Sequence, residues 1–349
     1  MFLAIRELLH AKLRYSLIGL IMILIAVLIF IISGLAKGLS ADNASAIQHL
    51  NADNLMIESG VEQELTKSFL PESTVEEAAQ TKGVKDTSPL VIRMSSASVE
   101  GTDQNSDVAL FGTDLQGTLV PDVIQGERPA NPDEVMADDS LKKDGIEVGD
   151  TITFSGHDAA YTVSGFVENQ RFSHAPVIYM DMAGDKINAV AIQTDGEIDD
   201  NFAGHFDVLS KSDVLQGIPS YSQEQASLNM MIVFLFVIAA FVLAVFFYVI
   251  TMQKTSQLGV LRALGSQTAY IISSLLVQVI LISIVCIAIA IGVTYGINLV
   301  LPEDMPFVMS TGNMIQASAL LLAVSVIGSL VSLYQVVKVD PVEAIEGGD

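Results

Sequence analysis

The sequence predicts an α-helical membrane protein with four transmembrane helices and a mixed α+β extracytoplasmic domain inserted between helices 1 and 2. Three observations carry this. Four runs, residues 17–36, 228–251, 269–301 and 315–337, hold no charged side chain, and each reaches the ~20 residues that cross a bilayer. The 349 residues are 51% hydrophobic yet carry a formal net charge of −23, a conflict that disappears once apolar residues and acids are segregated along the chain. Residues 40–225 hold 33 of the 40 acids and 10 of the 17 bases, so the charge belongs to one water-exposed domain.

In order along the chain, residues 1–15 place Phe2, Ile5, Leu8, Leu9 and Leu13 on one helical face and Arg6, Lys12 and Arg14 on the other. That is the pattern of an amphipathic helix on a membrane surface. Residues 17–36 follow as the first span. Small residues near Ser33 and Gly34 resemble a signal-peptide cut site, but the apolar run exceeds the roughly 7–15 residues of a signal core, so a retained span is expected. Residues 41–50 continue that span as a helical stalk. Residues 74–82 read as a second helix. Short β-type runs at 108–112, 151–154, 161–167 and 176–180 are bounded by Gly, Asp, Asn or Pro. Residues 132–154 read as a short helix, a Gly149-Asp150 turn and a strand. His174 reads as a loop residue. Residues 212–215 begin the return to the membrane. The third run is 33 residues long, so it must tilt, kink near Gly292 or Gly296, or project outward. The expected organisation is 1–38 for the surface helix and first span, 39–225 for the α+β domain, and 226–349 for the other three spans.

Bases in the short loops set the orientation. Arg6, Lys12 and Arg14 precede the first span, Lys254 and Arg262 lie between the second and third, Lys338 follows the fourth, and loop 302–312 has none. The positive-inside rule puts both termini and the 252–268 loop in the cytoplasm of a multi-pass cell-membrane protein, with residues 40–225 outside.

Several function classes are excluded or weakened. The lone cysteine, Cys286, has no intrachain partner, and no Cys/His zinc spacing occurs. No Gly-rich phosphate loop ending in Lys-Ser/Thr is present, and the strong acidity opposes nucleic acid as a partner. No catalytic constellation emerges, and the scattered acids of 40–225 read as a solvated surface. The chain is therefore expected not to be an enzyme and to hold no intrinsic cofactor.

The segment from Thr251 to Ser266 lies between two spans. Leu258, Leu261, Ala263 and Leu264 fall near helical spacing, while Lys254, Gln257 and Arg262 give a polar side. It is either a short amphipathic helix along the membrane face or a plain loop with snorkelling cations. Its residue order, Leu258-Gly259-Val260-Leu261-Arg262-Ala263-Leu264-Gly265, resembles the coupling-helix signature of the MacB/FtsX family of ABC transporter permeases. The tail Asp340-Pro341-Val342-Glu343-Ala344-Ile345 is similar to that family's terminal signature. One span, a large outer domain and three more spans is the family's layout, and residues 135–180 resemble its extracytoplasmic core. The resemblance implies a coupling helix at 252–266, with Lys254, Leu258, Gly259, Leu261, Arg262, Leu264 and Gly265 contacting a separate ABC ATPase. It also implies a homodimer over two ATPase copies, with ATP used only by the partner and its work passed on mechanically.

Physics adds a constraint on cargo. Gly19, Ser33, Gly34, Gly38, Gly292 and Gly296 allow close helix packing, and no polar-lined pore is evident. An amphipathic cargo entering from the bilayer fits better than a hydrophilic solute. Within the family the chain looks most like the HrtB-type haem exporters, which makes haem the expected transported substrate. A lateral haem pocket needs apolar walls and an iron ligand, and the outer ends of the first two spans offer Phe30, Tyr221, Glu224, Asn229, Met230 and Met231. No one of them is assigned to iron. Each also has a plain reading: Met230 and Met231 as packed or lipid-facing side chains, Glu224 as a solvated acid. The alternatives are export of an antimicrobial peptide or lipid, and an FtsX-like regulator of a cell-wall hydrolase that transports nothing.

Overall fold

The structure, a computed structural model, describes residues 12–99, 105–156, 159–182, 186–196, 198, 206–253, 260, 265–302 and 305–337. It divides into two compact units, one comprising the chain up to Gly38 and from Ser227 onward, the other Leu39–Ala226.

The first unit holds helices long and apolar enough to cross a membrane, four among the described residues. They are α1 (Lys12–Gln48), α4 (Tyr221–Gln253), α5 (Thr268–Asn298) and α6 (Thr311–Val337), of which α1 and α4 extend into the second unit. Their shared core uses small residues from every helix. Ala26, Ala239, Ala290 and Ala317 are buried beside Ile29, Phe30 and Leu321, and short side chains let the backbones approach where lipid gives no hydrophobic drive. Gly328 of α6 sits against the backbone of Ala240 and Ala244 on α4 for the same reason. One sequence expectation changes here. α5 runs unbroken through Gly292 and Gly296, and a Cβ on either would meet nothing within 4 Å. Those glycines face open space among the described residues and bring no neighbouring helix closer. The buried hydroxyls of Thr251, Thr294 and Ser325 donate to the carbonyls of Phe247, Ala290 and Leu321, four residues back. They are satisfied within their own helices.

The second unit is an α+β domain. Its strands are β1 (Asn54–Glu58), β2 (Leu70–Pro71), β3 (Val84–Val99), β4 (Asn105–Gly112), β5 (Val123–Gly126), β6 (Glu134–Asp138), β7 (Thr151–Phe154), β8 (Ala160–Val167), β9 (Arg171–Phe172), β10 (Ala175–Met180), β11 (Lys186–Ile187), β12 (Ala189–Thr194) and β13 (Phe206–Ser210), with short helices α2 (Ser73–Ala79) and α3 (Lys211–Gln216). The main sheet has the order β13-β1-β12-β3-β4-β10-β6-β8-β5, with β7 paired to β3 and β8, and β9 paired to β10. The β4–β10 and β6–β8 pairs are parallel.

Alternate residues of the central strands enter different cores. Ala109 and Phe111 of β4, Val177 and Tyr179 of β10, and Met136 of β6 enter one core. Their neighbours Val108, Leu110, Ile178, Met180, Val135 and Ala137 enter another. With both faces covered, such strands read as continuous apolar runs and not as alternation. The short helix expected within 132–154 is present, but a strand precedes it. Val135, Met136 and Ala137 are all fully buried, which suits a strand between two cores, and the helical turns come only afterwards, as a 3-10 stretch over Asp139–Asp144. Asp138 caps that stretch by accepting from the Ser140 N–H. The helix expected over 74–82 ends at Ala79 because the chain enters β3 at Val84. The end of α1 belongs to this domain, where Ala44, Ala46 and Ile47 pack with Phe111, Phe172 and Tyr179. Phe111 meets both Phe172 and Tyr179 edge-on, with ring centroids 5.6 and 5.8 Å away, the arrangement ring quadrupoles favour.

Candidate functional site

Within the second unit, three elements meet at one polar cluster. The first is the last part of α1, carrying Ser40, Asp42, Asn43 and Ser45. The second is the β9–β10 hairpin. The third is the first turn of α4, carrying Tyr221 and Glu224.

The hairpin sets the geometry. Phe172 pairs with Ala175, so Ser173 and His174 form a two-residue turn. Both have positive φ, 51° and 65°, as a type I′ turn requires. Asn or Gly is the usual occupant, and a side chain such as His174 is strained there. The strain is held by the surroundings. Ser173 donates its N–H to the Asn43 carbonyl at 2.7 Å, and Arg171 donates its N–H to Ser45 Oγ at 3.0 Å. The Arg171 guanidinium donates to the His174 carbonyl at 2.6 Å and to Ser140 Oγ at 3.1 Å. Its Nε lies 2.7 Å from Asp42 Oδ1. That N–H has no hydrogen-bond alignment, so the contact is an ion pair. Behind the hairpin, buried Asp138 accepts the Gln170 N–H at 2.6 Å, and Gln170 Oε1 accepts from the Tyr179 hydroxyl at 2.7 Å.

His174 is the hub. Nδ1 lies 2.7 Å from Asp42 Oδ2 on α1, and Nε2 lies 3.1 Å from Glu224 Oε1 on α4. Asn43 Nδ2 donates to Glu224 Oε2 at 3.2 Å, and the Tyr221 hydroxyl lies 3.1 Å from Ser40 Oγ. Partial burial opposes a charge on His174, but hydrogen bonds to Asp42 and Glu224, reinforced by their charges, outweigh it and raise its pKa above the ordinary 6.5.

The residues that the sequence grouped as haem contacts lie in different local surroundings. Phe30 is 3% exposed inside the helix core of the first unit. Tyr221 and Glu224 are committed to the cluster just described. Asn229 is exposed, and so are Met230 and Met231, at 57% and 46%. Of the residues expected to contact an ATPase, Lys254, Leu258, Gly259, Leu261, Arg262 and Leu264 lie outside the described residues, while Gly265 adopts φ +92°, a turn conformation glycine favours. Asp42, Asn43, Arg171 and His174 carry no motif that could single them out. The one sequence signal is a histidine beside an arginine in a short inter-strand segment of an otherwise acidic domain. Among the described residues no group of His, Cys, Asp and Glu could hold a metal ion.

Residues 229–341 match the family described as FtsX-like permease C-terminal. A protein of Staphylococcus haemolyticus, named for a proposed role as hemin transport system permease protein HrtB, is 34% identical over 99% of both chains. The chain belongs to the FtsX-like family of ABC transporter permeases. A Staphylococcus epidermidis protein named in the same way is 30% identical to this permease over the full length of both chains. Among solved structures, the periplasmic region of MacB from Actinobacillus actinomycetemcomitans matches 49% of the permease and 94% of that chain at 15% identity, with a TM-score of 0.37. The extracellular domain of the YknZ transporter matches 42% and 84% at 16% identity, with a TM-score of 0.33. Those two likenesses are too slight to carry an argument. As a permease subunit of an ABC transporter, the chain works with an ATPase and is not itself one.

Proposed function

We propose that this permease exports haem, driven by ATP hydrolysis in partner subunits. The observation that carries the reading is the full-length identity of 34% and 30% to relatives named for hemin transport. The second unit faces outward and both termini face the cytoplasm, as the bases of the short loops require. Two copies pair over two ATPases. The 252–266 segment receives the ATPase motion, and α1 and α4, which both run on into the outer domain, carry it outward. The cluster of Asp42, Arg171, His174 and Glu224 supports this mechanical reading, because it ties the ends of those two helices to one strained hairpin. Haem is flat, apolar over its faces and anionic at its propionates, so it partitions into bilayers. Exposed Met230 and Met231 offer apolar contact and a thioether of the kind that binds haem iron, with Asn229 as a neighbouring hydrogen-bonding group.

Titration of the purified, full-length permease with haem tests the cargo. The expected result is a saturable Soret shift that weakens when Met230 and Met231 are replaced by Ala. No saturable shift contradicts haem as cargo, and a cell-wall hydrolase co-purifying instead supports the regulator.

A further inference from the structure

We propose that Asp42, His174 and Glu224 form a proton-operated clasp, in which the charged imidazole fastens the end of α1 to the start of α4. Both ring nitrogens face carboxylate oxygens, at 2.7 Å on Asp42 and 3.1 Å on Glu224. Only a doubly protonated ring donates to both at once. In the neutral ring one nitrogen bears a lone pair, which then points at a carboxylate oxygen and repels it. One of the two contacts must fail.

The charge balance agrees. The charged groups around the ring are Asp42 on α1, Glu224 on α4, and Arg171 on its own hairpin. Two carboxylates against one guanidinium and one imidazolium sum to zero, and loss of the proton leaves one uncompensated negative charge. The clasp loosens without collapsing, because each carboxylate keeps a second partner. Asp42 keeps Arg171, and Glu224 keeps the Asn43 amide. The turn that presents the ring is strained at both residues, so weakening the ring contacts frees the hairpin to relax.

The sign follows from the raised pKa of His174. The contacts stabilise fully below the ordinary value of 6.5 and are lost as pH rises through the higher folded value. The clasp is shut in mild acid and opens toward alkaline pH. It depends on the proposed orientation only for which compartment's pH it reads.

Hydrogen exchange on the full-length protein tests this, with the intrinsic pH dependence of exchange divided out. The reporters are the amides of Arg171 and Ser173, which donate to Ser45 Oγ and the Asn43 carbonyl. Their protection is expected to fall about tenfold between about pH 6 and about pH 8, the size of one charge-assisted hydrogen bond. The amide of Tyr179 in the core should hold steady. In His174→Gln the reporters are expected to be weakly protected at every pH. Wild-type protection that is flat across the range, or a fall that survives in His174→Gln, overturns the clasp. If that variant does not fold, Asp42→Asn and Glu224→Gln replace it. Each removes one carboxylate and should move the midpoint to lower pH, and unmoved midpoints in both overturn the proposal. A protein that shows the pH-dependent protection but binds no haem keeps the clasp and loses the cargo.

Discussion

Val308 donates its backbone N–H to the carbonyl of Gly34 at 3.1 Å, which lays the loop between α5 and α6 across α1. The approach is possible only because Gly34 and Gly38 stand one helical turn apart. A Cβ on Gly34 would strike the Phe307 ring, and one on Gly38 would strike the Pro306 carbonyl. A ring can swing aside, whereas the backbone of a proline cannot easily do so. Gly38→Ala is therefore expected to cost about 1–3 kcal/mol, and Gly34→Ala less. Gly292→Ala and Gly296→Ala, with open space at both positions, should be close to neutral. Unfolding of the four variants in detergent micelles gives the ranking.

Tyr15 donates its hydroxyl to Gln278 Oε1 at 3.1 Å, joining α1 to α5 in the first unit. Hydrogen bonds between membrane helices average about 0.6 kcal/mol. Tyr15→Phe should lose about that much in a denaturant titration, and a loss several times larger would mean that the hydroxyl holds more of the bundle together.

Arg171 should not tolerate lysine. Its guanidinium serves Ser140, His174 and Asp42 from three different nitrogens, a fork that one ammonium cannot reproduce. Arg171→Lys is expected to destabilise the Leu39–Ala226 unit by about 1–2 kcal/mol, read as an earlier loss of its hydrogen-exchange protection. Equal protection in the variant would show that the hairpin is held by its backbone bonds alone.

Asp138 is almost fully buried, and burial raises its pKa above 3.8, only partly offset by hydrogen bonds from Ser140 and Gln170. The native state thus binds a proton more readily than the unfolded chain. The contribution of Asp138 favours folding more as pH falls through its raised native pKa toward 3.8, and this gain fades as pH rises again. Comparing wild type with Asp138→Ala across mildly acidic pH should show the wild type gaining relative stability as acid is added. The variant itself should be less stable throughout, since the Gln170 N–H loses its acceptor.

The spans were legible because a charge-free run of sufficient length has few other uses, and the acids of residues 40–225 marked the domain between them. Strands were legible where they were short and bounded, as at Thr151–Phe154 and Ala175–Met180. β3 was hidden by Pro89 and by serines at 95, 96 and 98, which read as loop until its cross-strand partners supply the context. β6 went unnoticed because a doubly covered strand shows no alternation, and over so few residues periodicity cannot tell it from a helix. Of the polar cluster, Tyr221 and Glu224 drew notice as candidate contacts and His174 only as a loop residue. Asp42 and His174 lie 132 residues apart, and nothing local to either announces the other. The exposure of Met230 and Met231 on α4 also needed the structure, since a periodic apolar helix does not say which face it leaves uncovered.

Haem movement in inverted membrane vesicles containing the permease and its ATPase tests the central claim most directly. Haem should leave the outer-leaflet side of the bilayer for the vesicle lumen only when ATP is supplied, and Leu261→Asp in the proposed coupling segment should abolish the movement while leaving haem binding intact. Haem transfer that proceeds equally without ATP, or that is untouched by Leu261→Asp, would contradict the account.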